Sequence, residues 1–220
     1  MDPKTLRERL RLEKMMGVEA LPAGASSPVV EELARIEAQV MRCTACRLHK
    51  ERTQGVFARG DPAADLMFIG EAPGREEDRL GEPFVGPAGQ LLDQMIYAMG
   101  LARDEVYITN ILKSRPPGNR DPRADEVEAC WPYLERQIEL VEPGIICTLG
   151  RPASNTLLGG DRAMGQMRGR WHAFRGVPVM PTYHPAYLLR SPHQKKKAWQ
   201  DLKQIVVALA EGVPAMPGLF

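Results

Sequence analysis

Glu71, Phe84, Asn110 and His184 stand far apart in the chain, yet each closes a short apolar run or lies in the loop that follows one. A carboxylate can hold or activate a water, and an aromatic ring offers a stacking face. A carboxamide sets a donor beside an acceptor, and an imidazole can donate to an oxygen that gains charge. A second set is built on sulfur: Cys43 and Cys46 form a C-x2-C pair, with Cys130 and Cys147 farther along. The N-terminus, MDPKTLRERLRLEK, is charged where a secretory signal needs an apolar core, so the expected setting is intracellular and cytoplasmic. Cysteines there point to metal binding or buried thiols rather than disulfides. Their spacing does not match the paired C-x2-C halves of a zinc ribbon; an iron–sulfur cluster, whose thiolates can come from distant segments, fits at least as well.

The elements that position these groups follow from pattern. Leu66 to Ile69 reads as a buried strand that breaks at Gly70 into a loop with Pro73 and Gly74, and a helix with Leu91, Leu92, Met95, Ile96 and Met99 on one face begins near Pro87. The loop lacks the GxGxxG and GK[ST] spacings and is rich in carboxylates, which argues against phosphate cradling. A second strand runs from Val106 to Ile111 with Asn110 near its end, a third over GIICTL, and a fourth through Val177, Val179 and Met180. Helices are expected over 28–40, 123–140, 152–158 and 195–210, the last packing Trp199, Leu202, Ile205, Val206 and Leu209 inward. Alternating strands and helices imply a parallel, doubly wound α/β sheet.

With 220 residues, 44% of them hydrophobic, the chain can bury one substantial core. The division expected is an N-terminal arm and tether over 1–26, with a charged helix at 4–16, a single domain over 27–212 and a C-terminal tail over 213–220. A net charge of +1 excludes wholesale electrostatic wrapping of nucleic acid, and no apolar run reaches the length of a membrane span.

In open α/β sheets, ligands sit beyond the carboxyl ends of strands. That rule gathers Glu71 and Phe84, Asn110 and His184 into one pocket. Asn110 can also be read as a satisfied core amide, and His184-Pro185 as an ordinary turn. Taken together, Phe84 and Asn110 suit a pyrimidine, stacked and read at its edge. His184 can stabilise a base oxygen as a glycosidic bond breaks, and Glu71 can serve the attacking water. A base in a duplex must be flipped out; Tyr187, Leu188 or Leu189 can wedge the gap, while Arg190 holds phosphate. Lys113, Arg115 and Arg120 form a small basic loop suited to phosphates, although solvated loop charges read the same way.

GEAPGREED with GEPFVGPAG, then YITN with RPPGNRDP, then HPAYLLR together resemble the family 4 uracil-DNA glycosylases, the iron–sulfur branch of their superfamily. The resemblance runs from about Cys43 to the final helix. It implies a three-layer α/β/α fold with a central four-stranded parallel sheet, and hydrolytic release of uracil from single- or double-stranded DNA in base excision repair by a monomer. Gly70, Glu71, Ala72, Phe84, Asn110 and His184 then line the uracil pocket, with Glu77 near uracil C5. HPAYLLR resembles the minor-groove insertion loop. It also implies a structural [4Fe-4S] cluster on Cys43, Cys46 and Cys130. Where family members carry KCRPP, this chain has Ser114; the fourth ligand is then Cys147, the Ser114 oxygen, or none with a labile or absent cluster. A related branch traps its product through a histidine in an insertion near the second motif, which GNRDPRADEV lacks. Two other classes stay open: a non-catalytic DNA-binding or polymerase-associated module, and a small iron–sulfur redox protein. The termini are candidates for recruiting a replication or repair protein.

Overall fold

The structure is a computed structural model that describes residues 27–214. The expected helix over 4–16, the tether and the end of the C-terminal tail lie outside the described residues.

The first helix, α1 (Pro28–Arg42), starts where Ser27 accepts the Val29 N–H and Pro28 presets the first turn. It buries Leu33, Ile36 and Val40 and delivers the chain to Cys43. After a short edge strand β1 (Ala58–Gly60), β2 (Leu66–Gly70) enters the centre of the sheet. Next come α2 (Arg75–Leu80), α3 (Pro87–Ala98), β3 (Tyr107–Asn110), α4 (Ala124–Val141), β4 (Ile145–Leu149), α5 (Arg151–Leu158), α6 (Met164–Met167), β5 (His172–Phe174), β6 (Val177–Thr182), α7 (Pro185–Arg190) and α8 (Lys195–Glu211).

Among the described residues, the sheet order is β1-β3-β2-β4-β6-β5. The four inner strands are parallel, as expected. The two edge strands pair antiparallel, so the sheet has six strands rather than four. Each edge strand is three residues long, too short for a two-residue period to register in sequence. Strands β2, β3 and β4 are buried at every position, the signature of a sheet covered on both faces.

Alternation along the strands sorts the core into two layers. Met67, Ile69, Tyr107, Ile146 and Val179 face α1, α4 and α5, packing on Ile36, Leu134 and Leu157. Leu66, Phe68, Ile108, Cys147 and Met180 face the other way, onto Leu92, Ile96, Leu202 and Ile205 of α3 and α8. The result is the α/β/α sandwich.

Two local expectations are corrected. The loop after β2 contains a helix, α2, because Asp78 accepts hydrogen bonds from the Thr53 N–H and hydroxyl and pins its underside. Trp199 is not packed inward but is 37% exposed, since the buried face of α8 runs through Ala198, Asp201, Leu202, Ile205 and Ala208. No helix among the described residues is long and apolar enough to cross a membrane.

Candidate active site

After β2, the chain turns to β3 on one side and then crosses to β4 on the other. The carboxyl end of β2 is therefore the topological switch point, and Gly70 and Glu71 occupy it. A cleft of about 880 Å³ opens there. Its floor and walls include Glu71, Ala72, Glu77, Phe84, Asn110 and His184, so the structure brings the residues singled out in sequence to one place. Gly70 lies directly beneath: a Cβ there would collide with the Asn110 carboxamide and the Phe84 ring. The backbone must be glycine for those two side chains to meet.

Phe84 adopts a left-handed backbone conformation at φ +54°, which is uncommon for an aromatic residue. Its surroundings hold it there. The Glu77 carboxylate accepts the Val85 N–H at 2.9 Å and the Gly86 N–H at 2.8 Å, and Gly89 packs so closely on the Phe84 carbonyl that a side chain would not fit. The ring is 5% exposed and its centroid stands 5.7 Å from that of His184.

Asn110 ends β3 in register with Gly70 and is 2% exposed. Its Oδ1 is buried without a hydrogen-bond partner. Buried carboxamide oxygens are nearly always paired, and an unpaired one costs about 1–3 kcal/mol, so this atom marks a place where a ligand donor is wanted. The backbone carbonyl of Asn110 is spoken for: it accepts from Lys113 Nζ at 2.7 Å.

His184 caps α7, its Nδ1 accepting the Ala186 N–H at 3.1 Å. The ring proton therefore sits on Nε2. Burial, helped by the positive charge of Arg190, lowers the imidazole pKa to about 4, so the ring is neutral at physiological pH and still a donor. Burial has the opposite effect on Glu71, raising its pKa to about 7; the charge of Asp121 adds to the rise and that of Arg151 opposes it.

The remaining candidates divide. On α7, Tyr187 lines the cleft with its ring 5.0 Å from that of Tyr183, Leu189 is 44% exposed, and Arg190 reaches the cleft edge. Leu188 is corrected: at 1% exposure it packs into the core beneath α7 and cannot act as a wedge. Arg120 borders the cleft, but its guanidinium is engaged by the buried Glu126 in two hydrogen bonds of 2.8 and 2.5 Å, so it is a staple for the start of α4 rather than a free phosphate binder. Arg115 does not line the cleft; it donates at 2.7 Å to the Oδ1 of Asn119, which does. Lys113 is not a surface cation at all: it is 1% exposed, and its Nζ donates to Thr109, Asn110 and Gln137.

Sequence reasoning missed the end of β4. Gly150, at φ +91°, leaves room for His184, whose Cβ would stand 3.0 Å from a Cβ on the glycine, and Arg151 lines the cleft, its charge bearing on Glu71 while its guanidinium donates to Asp161 at 3.2 Å. Gly150 and Arg151 follow the run GIICTL, so the strand-end rule applied to all four parallel strands would have found them. Tyr183, also on the cleft wall, had no comparable signal.

A second corner lies where α1 ends. Cys43 and Cys46 flank the turn after α1, and Cys130 comes from α4. The three thiols lie near enough that the charge of Cys43 bears on Cys46, and both bear on Cys130. Backbone N–H groups of Leu48 and Lys113 are directed at the sulfurs of Cys46 and Cys130 respectively. All four cysteines are free. Among the described residues, no three His, Cys, Asp or Glu side chains are gathered closely enough for a single metal ion. Cys147 is corrected as a partner for the other three: it pairs with Phe68 and Met180 in the sheet and faces the α3 and α8 layer, whereas Cys46 and Cys130 belong to the opposite one.

Comparison with known proteins agrees with this geometry. The family model of the uracil DNA glycosylase superfamily matches residues 57–203. The chain is 44% identical over 185 residues to a type-4 uracil-DNA glycosylase of Sulfurisphaera tokodaii, covering 80% of this chain and 84% of that protein. It is 42% identical to that of Archaeoglobus fulgidus, covering 80% and 92%, and 43% identical to that of Thermotoga maritima, covering 73% and 85%. With a superfamily match spanning most of the sandwich and relatives of this closeness, the chain belongs to the uracil-DNA glycosylase superfamily and groups with its type-4 members.

Proposed function

We infer that this protein excises uracil from DNA by hydrolysing the bond between the base and its deoxyribose, opening base excision repair. The observation that carries the reading is the buried, unpartnered Oδ1 of Asn110 beside the Phe84 ring. Uracil offers an N3–H to that oxygen and a carbonyl O4 to the amide nitrogen of the same group. Cytosine presents the reverse pattern, an acceptor at N3 and a donor at N4, and would meet like against like.

With the base flipped into the cleft and stacked on Phe84, the Nε2–H of neutral His184 is suited to O2, where negative charge gathers as the glycosidic bond lengthens. A neutral donor is effective because it stabilises the developing charge without requiring a proton to be gained or lost. Glu71, ionised above about pH 7, takes a proton from the water that adds to C1′, and its charge favours the cationic character of the sugar. Uracil departs with the bonding electron pair on N1 and is protonated afterwards. Glu77 keeps the Phe84 loop in its strained shape, and its carboxylate lines the pocket where a C5 substituent would stand. Leu189 and Tyr187 fill the gap in the stack, with Arg190 and Arg115 on phosphates.

The cysteine corner fits an iron–sulfur cluster by its donor set: three thiols from two segments, two of them already facing backbone N–H groups, and near them a fully buried Lys113 whose hydrogen-bond acceptors are all neutral. Burial lowers the Lys113 pKa to about 7, and an anionic cluster beside it would favour its charged form. Held by Cys43, Cys46 and Cys130, it would supply a structural cross-link between α1 and α4 and no step of the hydrolysis.

The test is release of uracil from single- and double-stranded oligonucleotides, scored by alkaline cleavage at the abasic site. Uracil release without cytosine release is expected. A folded protein that binds uracil-DNA and releases no base would overturn the reading in favour of a binding module.

A further inference from the structure

At the cysteine corner a serine stands where a fourth thiolate is expected, and its neighbours hold it in place. The Lys113 N–H is directed at the Cys130 sulfur, Ser114 is the next residue, and the Arg52 that reaches Ser114 also bears by its charge on Cys46. Ser114 is 4% exposed, and its hydroxyl accepts from Arg52 Nη1 at 2.8 Å. The other terminal nitrogen of that guanidinium donates to the carbonyls of Val40 and Met41, both at 2.9 Å, and of Cys43 at 3.1 Å. A guanidinium is planar and rigid, so Arg52 fixes the Ser114 oxygen relative to the turn that begins at Cys43. Cys147 cannot compete. To reach the other three cysteines, β4 would have to slip by one residue, which would turn its whole buried set to the opposite face.

We propose that Ser114 Oγ is the fourth corner of the site: a cluster bound through sulfur by Cys43, Cys46 and Cys130 and through oxygen by Ser114, with Arg52 hydrogen-bonded to that oxygen. The proposal rests on the cluster reading above. On binding, the Ser114 O–H bond breaks, an iron–oxygen bond forms and the proton leaves to solvent; no electron is transferred. Oxygen is a harder and less covalent donor than thiolate, so one iron differs electronically from the other three and is the first to be lost.

The full-length protein, reconstituted anaerobically with iron-57 and sulfide, decides the matter by Mössbauer spectroscopy and iron content, with a thermal melt on each sample to establish folding. About four irons per chain are expected, one resolved from the rest. Ser114→Cys should keep the iron and merge the distinct site with the others. Ser114→Ala should hold about three irons and show the paramagnetic signal of an oxidised three-iron cluster. Cys147→Ser should match the unsubstituted protein. Retention of the distinct site in Ser114→Cys, full iron with an unchanged spectrum in Ser114→Ala, or loss of iron in Cys147→Ser would each overturn the assignment. A folded, unsubstituted protein that takes up neither iron nor sulfide would instead overturn the cluster reading itself.

Discussion

Asn110 and Lys113 are near neighbours in the chain, both almost wholly buried, and the fold treats them in opposite ways. The Asn110 Oδ1 faces the cleft with no partner, whereas Lys113 Nζ, on the far side of the same turn, donates to Thr109 Oγ1 and the Asn110 carbonyl at 2.7 Å and to Gln137 Oε1 at 2.5 Å. Gln137 in turn donates to the Tyr107 hydroxyl at 3.0 Å. The contrast extends outward. On the cleft side, Glu71 is pushed towards neutrality and His184 is held neutral with its Nε2–H turned to use. On the far side, Arg52, Glu126 and Gln137 are saturated with hydrogen bonds. Saturated groups fix a shape. Buried groups left unsatisfied carry a standing cost that a ligand can relieve, and that is where chemistry is found.

Substitutions can break this contrast. Asn110→Asp should have the largest effect, since a carboxylate cannot donate to O4 and repels a pyrimidine carbonyl. We expect kcat/KM on uracil-DNA to fall about 10³-fold, and the preference for uracil over cytosine to shrink with it, measured by single-turnover base release. His184→Ala removes the donor to O2 and should cost roughly 10²–10³ in kcat with little change in DNA affinity by fluorescence anisotropy.

Glu71→Gln should cost about 10²-fold and, more tellingly, change the pH profile. In the unsubstituted protein, kcat/KM should rise with pH and level off above about 7, the point at which Glu71 ionises, while His184, neutral down to about 4, adds no limb of its own. The glutamine variant should be flat across that range. Stability moves the other way: with its folded pKa raised from 4.5 to about 7, Glu71 favours folding while protonated, and that contribution is lost as pH rises through 7. Glu71→Gln should therefore melt higher at pH 8, by roughly 1 kcal/mol after allowance for screening in the open cleft, and unchanged at pH 4.

Lys113→Met tests the saturated side. It preserves bulk and removes the donor to three buried oxygens, of which only Gln137 Oε1 keeps another, from Thr109 Oγ1 at 3.2 Å, so stability should fall by about 2 kcal/mol in urea titration. Uracil kcat/KM should stay within about threefold when assayed well below the melting temperature. A collapse of kcat with stability intact would erase the distinction between the two sides of the turn.

Much of the site was legible from strand ends alone. Gly70 with Glu71, Asn110 and His184 each follow an apolar run, and the parallel arrangement that alternating strands and helices imply carries those ends to one edge of the sheet. Gly150 and Arg151 obeyed the same rule and were passed over. What could not be read was the disposition of side chains around a common backbone pattern. Leu188 and Leu189 are adjacent and chemically identical, yet one is 1% exposed and the other 44%, because a helical step separates the core face of α7 from its open face. Arg120 and Arg115 read alike as loop cations, but only the packing of α4 buries Glu126 beneath Arg120 and claims it.

The sequence by itself determined the alternation of strand and helix, the glycines that let side chains meet, and which residue types stand at the strand ends, since these depend on local sterics and periodicity. The tertiary structure alone decided whether each polar group is spent or free, which face of the sheet Cys147 takes, and the opposite displacements of Glu71 and His184 from their ordinary pKa values. Those properties depend on the desolvation and partners that distant segments supply, and no local pattern encodes them.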